Sequence, residues 1–225
     1  MKILSLKALK QSYTILKTLL NQKKKPLNTY FLIIKGMVNI KKEMHKLNSF
    51  KEFVALATVS AKDYQKTNLS MIRHFTDELN VPGIYVTLNK PYSAMLTHFK
   101  KAKIDSRLII FIDAITKITG GKIKKEKNCL FIGSPENLSD ISIAMDQAVR
   151  ALPGKNKFLF FDSLNTLLMY NSVETVIKFI HFLAGKMRVW KVKGIIISLK
   201  KKSNDELIDE LTQFCDVTFD FGGKK

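Results

Sequence analysis

Glycine is missing from a long stretch of this chain: none occurs between Gly36 and Gly83. Any turn in that interval is made by residues carrying a Cβ, which resist positive φ and keep backbone amides away from a ligand. Cysteine is nearly absent, with only Cys129 and Cys215. Two cysteines make no disulfide framework, and the four histidines, His45, His74, His98 and His181, are scattered without metal-ligand spacing. Arginine is scarce as well, contributing Arg73, Arg107, Arg150 and Arg188 to 38 basic residues. No apolar run approaches the ~20 residues that span a bilayer. The first residues lack the order of a signal peptide and a small-residue cleavage site. A reducing cytoplasm is the expected compartment.

What is present is apolar content and positive charge. The 225 residues are 46% hydrophobic and carry a formal charge of +19. That length supports one sizeable core, or one domain with an appendage. The charge points to nucleic acid, an anionic membrane or an acidic partner. However, the excess is almost all lysine, whereas surfaces that clamp phosphates or read bases favour arginine. A lysine-rich chain with many Ile, Asn and Phe residues is equally the compositional habit of an AT-rich genome.

Residues 1–50 hold eleven lysines against one acid, Glu43. Leu6, Leu9, Tyr13, Leu16 and Leu20 recur at helical spacing, which predicts a basic amphipathic helix ending at Lys23-Lys24-Lys25-Pro26. A second apolar patch runs from Tyr30 to Ile34. Such a segment can lie on anionic lipid, pair with a partner helix, or pack on a domain with its lysines in water. Met37 and Met44 are alternative candidate starts of the native chain.

From residue 51 to 222, apolar strand-like runs alternate with helical patterns. Strands are expected at 53–59, 84–88, 108–112, 158–161, 194–198 and 217–221, with a short or edge strand at 129–132. Helices are expected at 69–79, 92–101, 137–152, 172–187 and 205–214. Pro82-Gly83 reads as a turn, residues 117–128 as an exposed lysine- and glycine-rich loop, and 223–225 as a tail. This alternation predicts an α/β fold with right-handed crossovers and a mostly parallel central sheet.

The most informative stretch is Phe158-Leu-Phe-Phe-Asp162-Ser163-Leu164. Four consecutive apolar residues describe a strand buried on both faces. An acid at the carboxyl end of such a strand stands where open α/β sheets place their ligands, and in phosphate-binding nucleotidases that acid holds magnesium. The alternative reading is a cap for the next segment.

The partner of such an acid would be a phosphate loop, G-x-x-x-x-G-K-[ST]. After the first strand, Ser60-Ala-Lys-Asp-Tyr-Gln65-Lys66-Thr67 fits only the last two positions. Ser60 and Gln65 stand in the glycine places, where side chains obstruct a backbone cradle. The competing reading makes Asp63 the N-cap of a helix that starts at Tyr64 and carries Lys66 on its solvent face.

Several phrases in series resemble the RecA-type ATPase domain in its KaiC-like archaeal branch. They are Ile84-Tyr-Val-Thr-Leu88, Ile109-Ile-Phe-Ile-Asp113-Ala114, Phe161-Asp162-Ser163-Leu164, Gly194-Ile-Ile-Ile197, Asp209-Glu210 and Asp216-Val217. The resemblance spans roughly 50–222 and implies a RecA-like three-layer fold. It also implies that Ser60, Gln65, Lys66, Thr67 and Asp162 mark a vestigial nucleotide site, with Thr67 and Asp162 as metal ligands if Mg-nucleotide binds. In that family two glutamates follow the second strand, and one of them activates water; here those positions are Asn89 and Lys90. Asparagine is no general base and lysine is the wrong charge.

The leading expectation is therefore a catalytically degenerate, regulatory or signalling module that acts on a protein partner, or binds nucleotide without turnover. No cofactor is required by this reading, though ATP and magnesium remain open. An active ATPase with an atypical loop is the second reading. A nucleic-acid or membrane-surface binder working through residues 1–50 and the 117–128 loop is the third. The resemblance also implies a capacity for self-association.

Overall fold

The computed structural model describes residues 40–121, 123 and 125–221. The helix expected from Leu6 to Leu20, the patch at Tyr30–Ile34 and the 223–225 tail lie outside the described residues.

Seven parallel strands form one sheet: β1 (Phe53–Val59), β2 (Gly83–Thr87), β3 (Ile109–Asp113), β4 (Cys129–Phe131), β5 (Phe158–Asp162), β6 (Lys193–Leu199) and β7 (Val217–Phe221). Their order is β4-β3-β2-β5-β6-β1-β7. The helices are α1 (Tyr64–Arg73), α2 (Tyr92–Ala102), α3 (Leu138–Ala151), α4 (Leu164–Tyr170), α5 (Val173–Val189) and α6 (Asp205–Thr212). One π-turn, His74–Glu78, extends α1.

The sheet is buried on both faces because its central strands are apolar at nearly every position. All five residues of β2 and of β5 are buried. Alternation along each strand then divides them between two cores. Ala55, Ala57, Tyr85, Phe158, Phe160, Ile195 and Ile197 meet Met71, Ile72 and Phe75 near α1 and Met95 and Phe99 of α2. Val54, Leu56, Ile84, Val86, Leu159, Phe161 and Ile196 meet α3, α4, α5 and α6 on the other face. Helix, sheet and helix make the three layers expected of an α/β domain.

Beyond α4, a helix that was not expected, three details depart from the expectations. Gly83 is not a turn residue but the first residue of β2, where a Cβ would stand 2.3 Å from the Phe158 ring. That ring stacks on Phe75 with centroids 4.8 Å apart, so glycine here makes room for an aromatic layer. Second, the helix expected at 69–79 starts five residues earlier, at Tyr64, and finishes as the π-turn. Third, the α/β unit begins at Ile40 rather than at residue 51. A helical stretch over 40–46 and a 3-10 turn at Leu47–Ser49 bury Ile40, Met44 and Leu47 in the same core as Phe53. Their spacing of four and three puts these apolar side chains on one helix face.

The 117–128 segment is loop at its described positions, and Ile118 and Ile123 are exposed. Among the described residues no helix is long and apolar enough to cross a membrane.

Candidate functional site

Sheet order decides which residues can meet. All strands point the same way, so the ends of β1, β2, β5 and β6 open on one edge. Thr87 pairs with Asp162 in the β2–β5 register, and two residues earlier Tyr85 pairs with Phe160. Period-two alternation places Tyr85 and Asp162 on the same sheet face, the face covered by α1.

Asp162 is buried at the end of β5, and its peptide bond to Ser163 is cis. The Tyr64 hydroxyl donates to its Oδ1 and the Tyr85 hydroxyl to its Oδ2. Asn89 Nδ2 lies 3.5 Å from the same Oδ1 and 3.3 Å from the Tyr64 oxygen. Both carboxylate oxygens are therefore occupied by groups of the chain itself. Burial raises the Asp162 carboxyl to about 8. The two phenolic donors oppose that shift, since they favour the ionised form. Tyr85 is itself raised far above an ordinary phenol by burial and stays protonated, as a donor must.

The cavity beside this network is lined by Tyr64, Gln65, Asn68, Lys90, His98 and Asp162, among others. Its volume is ≈ 10 Å³, about the space of a single water. Gln65 reaches His98 Nδ1 at 2.6 Å, and Lys90 Nζ lies 3.5 Å from Gln65 Oε1, so these lining side chains are tied to one another. A larger cavity, ≈ 250 Å³, lies elsewhere, between Leu56 and Thr58 of β1, α6 and β7.

The connection from β1 to α1 is a tight turn of four residues, 60–63. The Asp63 amide donates to the Ser60 carbonyl at 3.1 Å, and the Ser60 hydroxyl donates to Asp63 Oδ2 at 3.0 Å. Asp63 precedes the first helical residue as expected, but its carboxylate caps no helix amide. Its carbonyl accepts from the Thr67 amide at 2.8 Å. Of the five residues that the sequence marks for a nucleotide site, the fold brings Gln65 and Asp162 to one cavity. Ser60 is held in the turn, and Lys66 and Thr67 are not part of the cavity lining. Lys66 is not on a solvent face: it is half-buried, and burial lowers its ammonium group while Asp63 nearby raises it. Thr67 Oγ1 and Asn68 Oδ1 are buried without a hydrogen-bond partner.

Tyr64 and Tyr85 were not marked from the sequence. Tyr64 falls on an unspecified position of the loop pattern, and Tyr85 sits inside an apolar strand, where an aromatic reads as core. The available signal was the phenolic hydroxyl, which seeks a partner when buried.

A second buried acid, Asp113, ends β3. It accepts from the amides of Tyr92 (2.7 Å), Ile115 (2.8 Å) and Thr116 (2.8 Å), and from the Thr116 hydroxyl. This carboxylate fixes the start of α2 and the turn after β3. It has no capacity left for a ligand.

Topology and layers define an α/β domain with a RecA-like fold. Among solved structures, a KaiC-like protein from the hyperthermophilic archaeon Pyrococcus horikoshii is similar, with a TM-score of 0.53 at 13% sequence identity. The match covers 74% of this chain and 70% of that one. At that identity the likeness concerns the fold alone. A family of unknown function (DUF7504) matches residues 112–221, which takes in β5 and Asp162. No curated protein matches the sequence.

Proposed function

We propose that this chain is a catalytically silent KaiC-like domain whose phosphate position is filled by its own Tyr64, and that it works as a regulatory or signalling module by binding a protein partner. The observation that carries this reading is the Tyr64–Asp162–Tyr85 network. A magnesium-holding acid must be ionised and must offer an oxygen to the ion. Here burial holds the carboxyl near neutrality at physiological pH, and both oxygens already accept from phenols. A γ-phosphoryl group with its metal does not fit a space of ≈ 10 Å³.

Asn89 adds a second support. It reaches Asp162 from the loop after β2, where the resemblance places a water-activating glutamate. An amide there holds the network together but takes no proton from water. The Ser60–Asp63 turn adds a third, because it folds the loop on itself instead of around an anion.

The buried, unpartnered Thr67 hydroxyl and Asn68 carbonyl favour a second reading, nucleotide binding without turnover once Tyr64 swings out. The test is sensitive phosphate release from ATP with magnesium, run on the wild-type chain and on Asp162→Asn. The proposal expects no release above blank from either. Release by the wild type that disappears in Asp162→Asn would establish an active ATPase.

A further inference from the structure

Away from the sheet edge, two histidines and a glutamate converge where the 40–46 helix crosses the π-turn that ends α1. His45 Nε2 lies 2.9 Å from Glu78 Oε2, and His74 Nδ1 lies 3.0 Å from the same oxygen. The three ligand-type atoms all lie within 4.8 Å of one another. No sequence spacing announces this set. His74 and Glu78 stand four residues apart, the ordinary spacing of helical neighbours, and His45 arrives from a helix 29 residues earlier.

The donors and acceptors of this cluster do not balance as three protein groups alone. His74 is buried, and its Nε2 lies 2.8 Å from Asn48 Oδ1. An amide oxygen only accepts, so Nε2 carries the hydrogen and the neutral ring leaves Nδ1 as a bare lone pair. That lone pair faces a carboxylate oxygen at 3.0 Å, acceptor against acceptor. A cation between the two atoms resolves the conflict, as does a turned Asn48 amide that moves the hydrogen to Nδ1. A metal ion is suited to the place, because metal-bound histidines usually donate their other ring N–H to an oxygen that fixes the tautomer. Asn48 stands in that supporting position.

We propose that His45 Nε2, His74 Nδ1 and Glu78 Oε2 form a site for a divalent transition metal of the zinc type, which clamps residues 40–49 to the end of α1. Two imidazoles and one carboxylate are a donor set that zinc accepts, with water in the fourth position. Donor atoms around tetrahedral zinc stand about 3.3 Å apart, given bonds of ~2.0–2.1 Å. The two contacts to Glu78 therefore open by a few tenths of an ångström on binding. Lys41 Nζ pairs with the other oxygen, Oε1, at 2.8 Å, which leaves Oε2 for the ion and fixes the carboxylate plane. The lysine charge opposes the metal and limits its affinity.

The test is calorimetric titration of the full chain with zinc alone, followed by the visible spectrum with cobalt(II). The expected result is one bound ion per chain and intense tetrahedral-type cobalt bands. His45→Ala, an exposed position, lowers affinity at least ~10-fold with an unchanged circular dichroism spectrum, and Asn48→Ala lowers it ~10- to 100-fold through the tautomer. His181→Ala, outside the cluster, leaves affinity unchanged. Absence of stoichiometric binding overturns the proposal, as does binding that His45→Ala leaves intact. Either result would make the cluster a metal-free network in which the Asn48 amide is turned, its nitrogen donating to Nε2.

Discussion

Two aspartates end two strands of the same sheet, both buried, and the chain uses them in opposite ways. Asp113 is surrounded by backbone: three amides and one threonine hydroxyl converge on it. Asp162 meets no backbone amide with its carboxylate; side chains alone reach it, and two of the three are tyrosines. Backbone donors cannot leave without unfolding the turn they belong to. A tyrosine hydroxyl can leave by rotating a side chain. Asp113 is therefore scaffold, whereas the groups on Asp162 are removable, as the proposed closed phosphate position requires.

The largest effect should come from Asp113→Ala. Each buried amide left without its acceptor costs ~1–3 kcal/mol, so several together cost on the order of 4 kcal/mol. Urea unfolding should show a lower midpoint at an unchanged slope. An effect below 1 kcal/mol would erase the distinction between the two acids.

Asp162→Asn should act through pH. The folded carboxyl at about 8 lies above its unfolded value of 3.8, so the native state holds a proton that the unfolded chain has lost. Stability from this group is greatest at low pH and declines as pH rises from about 4 to about 8, by at most ~1.4 kcal/mol per pH unit. In Asp162→Asn that component disappears, and the variant gains on the wild type from pH 5 to pH 8. Parallel stability curves would mean that the phenols hold the acid ionised throughout.

Tyr64→Phe should be milder, costing ~1.5–3 kcal/mol if the hydrogen bond goes to an ionised partner and about 1 if it goes to a neutral one. Measured at pH 6 and pH 9, the cost should rise with pH. A pH-independent cost would detach Tyr64 from the titration of Asp162.

Much of the fold was legible in the chain. The runs Phe53–Val59, Phe158–Phe161 and Gly194–Ser198 are too short and too uniformly apolar for surface helices, and each became a central strand. Asp162 was singled out by its place at the end of such a run, but Asp113 ends one too, and only the fold separates the two. The Tyr64–Asp162–Tyr85 network was not legible, because it depends on register: Tyr85 reaches Asp162 only because β2 pairs with β5 as it does. Nor was α4, whose residues Leu164, Leu167, Leu168 and Met169 blur any helical stripe. The cluster of His45, His74 and Glu78 was hidden because only two of its members share helical spacing, and His45 joins them from another element. Lys66 misled for another reason. In a lysine-rich chain a Lys-Thr pair is common, and only the fold shows that its ammonium is half-buried beside Asp63 and away from the cavity.

The central claim is that Tyr64 occupies the place a phosphate would take. Thermal unfolding with increasing Mg-ATP, for the wild type and for Tyr64→Ala, tests it most directly. A ligand at 100 times its dissociation constant adds ~2.7 kcal/mol to the native state. The account predicts no shift for the wild type at millimolar nucleotide and a saturable upward shift for Tyr64→Ala. A saturable shift in the wild type that Tyr64→Ala leaves unchanged would contradict it.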